Sequence, residues 1–368
     1  MSFPRTIRAF RRTEGPDPVS LVLVTDYLPL SLKPDDVLIR NHAVSLNYRD
    51  VAMLHGKYPG SPLKRGIAAS DCAAEVIAIG SEVTKFAVGD RVAPIFDLNN
   101  LTGTEKVKAV LGGDIDGVLR ENAIFDENVL VHLPKYLSWE EAATITCAGT
   151  TAWNALDMPG SSNSGKVALL QGKLPIIRKS KNDPLTDDKQ TRTGGVSMFA
   201  LQICLAAGIH PIITSSSDKK LEMARSLGPP GAVDTVNYRT HPDWENEVMR
   251  LTSGNGADIV IENVGPATIA QSLASLANKG TVSLIGFLGG FETQHQPETV
   301  VPLLMKTAKM QGIFVGSIID QRKLCDFLEE RQVDLSPIVD QIFPFTTSND
   351  AFDYLYTAQH QSKVVIKF

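Results

Sequence analysis

The sequence has little cysteine, and its cysteines are far apart. Only four occur in 368 residues, with no C-x-x-C pair, at Cys72, Cys147, Cys204 and Cys325. Closely spaced cysteines hold structural zinc, and dense even-numbered sets form the disulfide frameworks of small secreted proteins. The spacing therefore argues against a zinc knuckle and against a disulfide framework.

A long apolar run and an excess of basic residues are also lacking. No stretch approaches the ~18 apolar residues that a membrane-spanning helix needs. The formal net charge is −5, which gives no basic surface for nucleic acid or an anionic membrane. We expect a soluble, cytoplasmic protein whose partner is a small-molecule substrate, not nucleic acid or a membrane.

The chain contains enough apolar material for two domains. Hydrophobic residues make up 43% and charged residues 21% of it, as in ordinary globular proteins. Residues 1 to about 135 predict an all-β region in which short β-rich runs alternate with turns. The expected strands are Ser20–Val24, Asp36–Asn41, Ala73–Ile79 and Arg91–Ile95. A helix is predicted next, over Leu137–Leu156, with Ser138 as its N-cap.

From Lys166 the pattern changes to short apolar strands alternating with amphipathic helices. The predicted strands are Val167–Gln171, Pro211–Thr214, Thr235–Tyr238, Ile259–Asn263 and Thr281–Ile285. The predicted helices are Val196–Ala207, Lys219–Leu227, Asp243–Leu251 and Thr268–Ala277. This alternation predicts a parallel, doubly wound α/β sheet. The final strand, Lys363–Phe368, is expected to pair back onto the first region.

A glycine-rich turn follows the first of these strands once a segment of twenty residues is set aside. The turn then has the pattern G-x-G-x-x-S and comprises Gly172, Thr193, Gly194, Gly195, Val196 and Ser197. Such glycines let the backbone approach a pyrophosphate, which binds the free N–H groups of the helix N-terminus. Within a βαβ unit the pattern predicts a dinucleotide site. The alternative is a strand–helix turn without a ligand.

The segment set aside, Lys173–Arg192, has nine charged residues, two prolines and no structural period. It predicts an exposed loop at the point where the pyrophosphate is expected. Two explanations are open: a natural insertion, or a translated intron whose removal restores the motif. We favour the intron because the motif reassembles with no residue missing.

The end of the second strand narrows the choice of cofactor. NAD-preferring sites place Asp or Glu there, to bind the ribose 2′-hydroxyl. This chain has Ser215 and Ser216, followed by Lys219 and Lys220, with Asp218 as a candidate helix N-cap. Hydroxyls with a cation suit a 2′-phosphate, so NADP is favoured. The alternative is that the lysines form a solvated helix face.

Several motifs together resemble those of one large enzyme family. They include S-L-N-Y-R-D (Ser45–Asp50), A-A-S-D-C-A-A-E-V (Ala68–Val76), V-G-D-R-V (Val88–Val92) and A-A-T-I-T-C-A-G-T-T-A-W (Ala142–Trp153). With the glycine turn, they resemble the medium-chain dehydrogenase/reductase superfamily, in its branch of zinc-independent quinone oxidoreductases and zinc-type alcohol dehydrogenase-like proteins.

The resemblance implies an α/β fold with two domains. A GroES-like, β-rich catalytic domain is expected in residues 1–155, and a Rossmann NADP-binding domain with a doubly wound parallel sheet in 156–319, with 173–192 as an anomalous insert. Residues 320–368 would return to the first domain. The family pattern also adds four cofactor-binding candidates, which are Tyr238, Asn263, Gly265 and Gly286. Homodimers are common in the family, so a homodimer is a candidate assembly.

The departures from the family pattern concern zinc. Where zinc-dependent relatives have Cys, this chain has Asn47, and where they have a His-Glu pair it has Ser70 and Asp71. The closely spaced cysteines of a structural zinc lobe are missing as well. Catalytic zinc needs three protein ligands of nitrogen, sulfur or carboxylate type. We therefore expect no metal.

Without a Lewis acid, hydride addition to a conjugated C=C or a quinone is easier than alcohol oxidation. We expect an NADP-dependent reductase of such substrates, with Tyr48 as donor, Arg49 as charge stabiliser and Asn47 in a positioning role. Tyr48 has a second interpretation as a packed aromatic residue, and Cys147 is interpreted as a core residue. The alternatives are an alcohol dehydrogenase acting without zinc and a non-catalytic NADPH-binding protein.

Overall fold

The structure, a computed structural model, describes residues 3–158, 163–172, 194–286, 297–357 and 360–368. Thr193 and the segment Lys173–Arg192 lie outside the described residues. Contacts divide the chain into a first unit of Met1–Thr150, Val315–Tyr356 and Lys363–Phe368 and a second unit of Thr151–Phe314 and Thr357–Ser362. The predicted domain limits, which are 1–155, 156–319 and 320–368, stay a prediction.

The N-terminal part of the chain consists of strands and short helices. Its strands are β1 (Thr6–Arg12), β2 (Leu21–Tyr27), β3 (Asp36–Ser45), β4 (Asp71–Ile79), β5 (Arg91–Pro94), β6 (Asn122–Asp126) and β7 (Leu130–His132). Its helices are α1 (Tyr48–Leu54), α2 (Trp139–Ala142) and α3 (Thr150–Ala155), with a 3₁₀ turn at Glu127–Val129. The region predicted to be all-β is rich in strands, but the prediction missed the helix α1 within it.

The helix predicted over Leu137–Leu156 is interrupted. Its N-cap is Ser138 as predicted, with the hydroxyl accepting a hydrogen bond from the Glu141 N–H at 3.2 Å. Between α2 and α3 the chain forms a π-helical turn, Ile145–Gly149. The Thr144 hydroxyl donates to the Glu141 carbonyl at 2.7 Å, and such back-bonding competes with the regular helical ladder. The apolar pattern did not reveal this change of helix type.

The second region alternates strands with helices. Its strands are β8 (Val167–Gln171), β9 (His210–Ser215), β10 (Asp234–Asn237), β11 (Ala257–Glu262), β12 (Leu276–Leu284) and β13 (Lys309–Gly312). Its helices are α4 (Gly195–Ala207), α5 (Asp218–Ser226), α6 (Trp244–Leu251), α7 (Ile269–Ala274) and α8 (Val300–Lys306). Helix α7 is shorter than predicted, because residues from Leu276 onward join the longer strand β12.

These six strands form one parallel sheet in the order β10-β9-β8-β11-β12-β13. Counted from β8, this is the 3-2-1-4-5-6 order of the doubly wound Rossmann fold, as predicted. One apolar cluster covers a face of the sheet. It includes buried residues from five strands, among them Leu169, Ile212, Val236, Val260 and Val282. Trp244 and Val248 of α6 pack against the same cluster.

The C-terminal part adds two helices and two strands to the first unit. These are α9 (Ile318–Arg331), β14 (Val339–Pro344), α10 (Ser348–Tyr356) and β15 (Lys363–Lys367), with 3₁₀ turns at Ser336–Ile338 and Phe345–Thr347. Strand β15 pairs antiparallel with β3, which confirms the predicted return of the chain. The sheet runs β14-β15-β3-β4-β5-β7, and β6 also pairs with β3.

None of the helices in the described ranges combines the length and the apolar character that crossing a membrane requires.

Candidate functional site

Gly172 directly follows strand β8. Its N–H donates to the Thr214 carbonyl at 2.9 Å, so the backbone here lies directly against strand β9. A Cβ atom added to Gly172 would overlap the same carbonyl oxygen. Only glycine fits this approach without a backbone shift, as the predicted glycine turn requires.

Strand β8 and helix α4 are held together across the segment that separates them in sequence. The Ser197 hydroxyl in α4 donates to the Gln171 carbonyl at 2.7 Å. Asn263, after β11, donates its side-chain NH₂ to the same carbonyl at 2.8 Å and to the Ser197 hydroxyl at 2.9 Å. The strand end and the helix start predicted to form one motif therefore lie together. Asn263 ties them, and its direct contact with a cofactor stays a prediction.

A buried carboxylate that the sequence did not reveal shapes the next turn. Glu262, at the end of β11, is fully buried. One carboxylate oxygen accepts from the N–H groups of Val264 and Gly265 and from the Thr268 hydroxyl at 2.8–3.0 Å. The other accepts from Gln171 Nε2 at 2.7 Å. These donors offset the cost of burying the charge and fix a turn in which Gly265 has a φ of 98°.

The predicted 2′-phosphate site lies at the ends of β9 and β10. Ser215, Ser216 and Lys220 are all buried there, and the Tyr238 N–H donates to the Ser215 carbonyl at 3.1 Å. Burial raises the pKa of the Tyr238 hydroxyl, and a hydrogen bond with Ser216 opposes that shift.

The sequence suggested Asp218 as the N-cap of α5, and this prediction is wrong. Ser217 takes that position, and Asp218 is the first residue of the helix. Its carboxylate accepts from Asn237 Nδ2 at 2.7 Å, so it is held by strand β10. An N-cap carboxylate would instead accept from the first backbone N–H groups of the helix.

The other cofactor candidates lie at the same edge of the parallel sheet, since parallel strands share their carboxyl ends. Gly194 is the N-cap of α4, and Gly195 and Val196 are its first two residues. Gly286 follows β12, where an added Cβ would lie 2.9 Å from the Asn263 carbonyl oxygen. The described candidates therefore lie at or just after the carboxyl ends of the parallel strands, or in the first turns of α4 and α5.

A second polar cluster lies in the first unit, where three strands meet. In the antiparallel sheet, Ser45 of β3 is paired with Asp71 of β4 on one side and with Val365 of β15 on the other. Asn47 follows β3 by two residues, and Lys363 opens β15. Residues more than 300 positions apart in sequence therefore become neighbours.

The side chains of this cluster are hydrogen-bonded to one another, and all but the partly buried Asn47 are buried. The Lys363 ammonium donates to Asn47 Oδ1 at 2.6 Å and lies 3.8 Å from Asp71 Oδ2. Asp71 also accepts from the Ser70 hydroxyl at 2.6 Å and from the Cys147 N–H at 3.0 Å. The side chains of Lys363 and Asp71 are 4% and 0% exposed. The cluster therefore holds a buried ion pair.

The predicted catalytic residues Asn47, Tyr48 and Arg49 are consecutive at the start of α1. Tyr48 is half-buried at the first helical position. The Arg49 guanidinium is buried, donates to the Leu111 carbonyl at 2.9 Å, and stacks with its carbon 4.8 Å from the centre of the Phe96 ring. A buried cation is therefore present, as the expected charge stabiliser requires.

Two nearby titratable groups are shifted by burial. Burial raises the pKa of the Asp50 carboxyl, and Arg49 and the Asn47 N–H partly oppose that shift. Burial also raises the pKa of the Cys147 thiol to about 12. Cys147 packs against an apolar cluster of Phe96, Val110 and Val315. It is partly buried against that cluster, and its interpretation as a core residue stays a prediction.

Comparisons with known proteins agree with this architecture. Residues 33–135 match the family described as alcohol dehydrogenase GroES-like domain, and residues 195–330 match zinc-binding dehydrogenase. A zinc-type alcohol dehydrogenase-like protein of Schizosaccharomyces pombe is 38% identical over 92% of this chain and 93% of its own. A quinone oxidoreductase of Pseudomonas aeruginosa is 32% identical over 72% of this chain and 69% of its own. The solved structure of the quinone oxidoreductase of Pseudomonas syringae has a TM-score of 0.73 at 25% identity. The match covers 98% of this chain and 100% of that one.

The fold and these matches define a two-domain oxidoreductase. The chain belongs to the medium-chain dehydrogenase/reductase superfamily, whose members bind nicotinamide cofactors. The predicted GroES-like and Rossmann parts are confirmed.

The family name raises the question of whether zinc fits here. By the family pattern, Asn47, Ser70 and Asp71 stand at the ligand positions, and they offer an amide, a hydroxyl and one carboxylate. The carboxylate and the amide oxygen already face the Lys363 ammonium, which would repel a metal ion. No group of three His, Cys, Asp or Glu side chains suited to a metal occurs in the part of the chain that the structure describes. The donor set does not fit zinc.

Sequence reasoning missed Lys363, Glu262 and Gln171. Lys363 belongs to the terminal run K-V-V-I-K-F, whose pattern predicts a strand and nothing more. Its partners Asn47 and Asp71 are about 300 residues away in the sequence. The sequence did contain an indication for Glu262. A carboxylate at the end of an apolar strand needs hydrogen-bond donors when it is buried, so its position predicts a turn that supplies them.

Proposed function

We propose that the protein is an NADP-dependent, zinc-independent oxidoreductase that transfers hydride to an activated C=C, a quinone or a related carbonyl compound. The observation that carries the proposal is the cluster of Asn47, Asp71 and Lys363, which supplies buried charge and hydrogen bonds but not the ligands of a metal. Polarised double bonds accept hydride without a Lewis acid, whereas an alkoxide depends on one.

The preference for NADP rests on the ends of β9 and β10. Ser215 and Ser216 stand where an NAD-preferring site has a carboxylate, and Lys220 adds a positive charge. Asp218, the next carboxylate along the chain, is engaged with Asn237. A 2′-phosphate would therefore meet hydroxyl groups and a cation instead of a fixed negative charge.

The chemistry that NADPH would supply when bound is a hydride for the electron-poor carbon of the substrate. The Arg49 guanidinium would stabilise the negative charge that forms on the substrate oxygen, since its burial strengthens such an interaction. The Tyr48 hydroxyl would donate the proton that completes the reduction, and would be reprotonated from water. Asn47 would orient the substrate or the nicotinamide, with its own amide held by Lys363.

Turnover measurements test the proposal. NADPH oxidation would be followed by absorbance with enones, 2-alkenals and quinones, and NADP reduction with primary and secondary alcohols, all with a metal chelator present. We expect turnover with the first set only. Turnover with alcohols alone would indicate the zinc-free alcohol dehydrogenase, and saturable NADPH binding without any turnover would indicate the non-catalytic protein. Either result would overturn the proposal.

Two substitutions test the assigned roles. Tyr48→Phe and Arg49→Met should each lower kcat by about 100-fold, the scale of a lost acid or charge stabiliser. Tyr27→Phe is the matched control, because Tyr27 is 76% exposed. If Tyr48→Phe retains full kcat, Tyr48 is the packed aromatic residue of the second interpretation.

We also infer that the functional protein lacks the segment Lys173–Arg192. Gln171 and Ser197 are hydrogen-bonded at 2.7 Å on either side of the segment, so the motif is assembled without it. NADPH affinity of the full chain should be weaker than that of a chain lacking 173–192. Equal affinities, or mature transcripts that always encode the segment, would show that it is a tolerated loop.

A further inference from the structure

Two buried guanidinium groups lie close together in the first unit. Arg12, the last residue of β1, is 3% exposed, and Arg49 in α1 is 8% exposed. The Nη2 atom of each lies 3.9 Å from the sulfur atom of Met53, so the two nitrogen atoms are at most twice that distance apart. Each guanidinium also donates to a backbone carbonyl, Arg12 to Gly112 and Arg49 to Leu111. Two like charges are therefore held near each other where water screens them little.

The carboxylates around this pair do not balance its charge. Asp50 is completely buried and lies 4.0 Å from Arg49 Nη1, and burial raises the pKa of its carboxyl. Asp116 also attracts Arg12, but it is paired with Arg11 at 3.0 Å. Burial lowers the pKa of the Arg12 guanidinium to about 10; Asp50 opposes this shift and Arg49 adds to it. Arg12 therefore stays protonated at neutral pH, and positive charge is in excess around the pair.

Some hydrogen-bond donors of the pair are also unused. Arg12 Nε, Arg12 Nη1 and Arg49 Nε have no acceptor in the part of the chain that the structure describes. A buried donor without an acceptor costs free energy, and a charged donor costs more than a neutral one. The pair is therefore suited to a negatively charged acceptor that comes from outside the chain.

A cavity of about 520 Å³ opens beside Arg12, which lines it. Its apolar wall is formed by Val19, Met53, Tyr58, Pro62 and Leu63. Two of these residues also contact Arg49. The Met53 sulfur does so as described above, and the centre of the Tyr58 ring lies 5.6 Å from the Arg49 guanidinium carbon. A ligand in this cavity would meet Arg12 and apolar surface, with Arg49 one side chain away.

Other charged side chains line the same cavity, but they are exposed and occur in equal numbers of each sign. They are Glu14, Asp17, Lys64 and Arg65. Exposed charges are largely screened by water and salt. Among the described residues that line the cavity, Arg12 alone is both charged and buried. Arg12 therefore decides which sign of charge the cavity favours.

We propose that this cavity binds a carboxylate group and that Arg12 holds it. One excess positive charge matches a carboxylate, whereas a phosphate monoester carries about −1.5 to −2 at pH 7. The apolar wall takes the carbon chain. The identity of the ligand as a substrate rests on the function proposed above, but carboxylate binding does not. The substrates are then compact acids with an electron-poor C=C or carbonyl group a few bonds from the carboxylate, and Arg49 remains available for the reacting oxygen.

The first experiment measures binding by calorimetry on the full chain, with 4-oxopentanoate and its uncharged methyl ester as probes. The acid should bind at least about tenfold more tightly than the ester, as expected for a hydrogen bond between charged groups. Arg12→Met should abolish this preference, and Arg12→Lys should retain part of it. Arg8→Met is the matched control, because Arg8 lies on the same strand with its side chain 51% exposed, and it should keep the full preference.

Two results of that experiment would overturn the proposal. One is equal binding of the acid and the ester by the wild-type chain, which needs no variant and so decides the matter even if Arg12→Met does not fold. The other is a preference for the acid that survives in an Arg12→Met chain with a native circular dichroism spectrum.

The second experiment measures turnover of 4-oxo-2-pentenoate and its methyl ester with NADPH. Arg12→Met should lower kcat/KM for the acid by about 10-fold or more, mainly through KM, while kcat/KM for the ester changes less than about twofold. A general structural defect would lower both alike, so equal losses would overturn the role of Arg12. If the wild-type chain binds the acid preferentially but turns over neither compound, the proposed function fails and the carboxylate site stands.

Discussion

The two polar regions of the molecule, the strand ends of the parallel sheet and the cluster around Lys363, are assembled in different ways. In the parallel sheet, Gly172, Ser215 and Asn263 each lie at or directly after the end of a strand, and sheet topology brings them to one edge. In the cluster, Asn47, Asp71 and Lys363 meet because an antiparallel sheet pairs β3 with both β4 and β15.

The difference lies in what holds each region. In the strand-end region, neutral hydrogen bonds join Gln171, Ser197 and Asn263, and the buried Glu262 carboxylate is held by hydrogen-bond donors. The cluster depends on one buried ion pair between side chains. We therefore expect the cluster to be sensitive to single charges, and the strand-end region to be sensitive to single added atoms.

The largest effect is expected from breaking the buried ion pair. Lys363→Met leaves the Asp71 carboxylate buried without its counter-charge and should lower the free energy of unfolding by about 3–5 kcal/mol. Lys367→Met, which removes a largely exposed partner of Glu140, should cost about 1 kcal/mol or less. Urea denaturation measures both. Similar losses for the two variants would show that the cluster is not held by Lys363.

The strand-end region can be tested with one methyl group. Gly172→Ala places a Cβ atom against the Thr214 carbonyl and should destabilise the protein by about 1–3 kcal/mol. Gly312→Ala is the matched control, because an added Cβ there meets nothing within 4 Å, and it should cost about 0.5 kcal/mol or less. Thermal denaturation compares them. A Gly172→Ala variant as stable as Gly312→Ala would contradict the close approach.

Cofactor preference should respond to one carboxylate at the end of β9. Ser216→Asp would face a 2′-phosphate with like charge and weaken NADPH binding by about 10- to 100-fold, or about 1.4–2.8 kcal/mol. Ser226→Asp adds the same charge at the exposed C-terminal end of α5 and should leave binding nearly unchanged. Fluorescence titration of NADPH measures both. Equal affinities would place the 2′-phosphate elsewhere.

The Cys147 thiol, next to the cluster, is expected to give almost no labelling in the native protein. With a pKa of about 12, Cys147 has very little thiolate at pH 8, so alkylation should be about 1,000-fold slower than for an ordinary thiol. Its rate should rise about tenfold per pH unit up to the pKa, provided the fold survives. Mass spectrometry of iodoacetamide-treated native protein tests this. Rapid labelling of Cys147 at pH 8 would show that it is reactive after all.

The sequence predicted the parts of the fold that depend on local pattern. Apolar strands alternating with helices gave the parallel sheet, and residues directly after those strands gave the cofactor candidates. The errors have local physical causes. The helix over Leu137–Leu156 contains a π-helical turn, and α7 ends early because Leu276 starts a strand.

The partners of Lys363 could not be predicted, because they depend on antiparallel register. Pairing of Val365 with Ser45 places the start of β15 beside Asn47, and neither sequence segment carries information about that pairing. Glu262 is an intermediate case. Its position at a strand end was visible, but its donors come from a turn whose shape the sequence did not specify.

The most direct test of the central claim is a pair of fluorescence titrations, with NADPH and with NADH, on the full chain and on the chain lacking 173–192. We predict that at least the shorter chain binds NADPH, and that it does so at least about tenfold more tightly than NADH, because Ser215, Ser216 and Lys220 favour a 2′-phosphate. Equal or tighter binding of NADH, or no binding of either cofactor by both chains, would contradict the account.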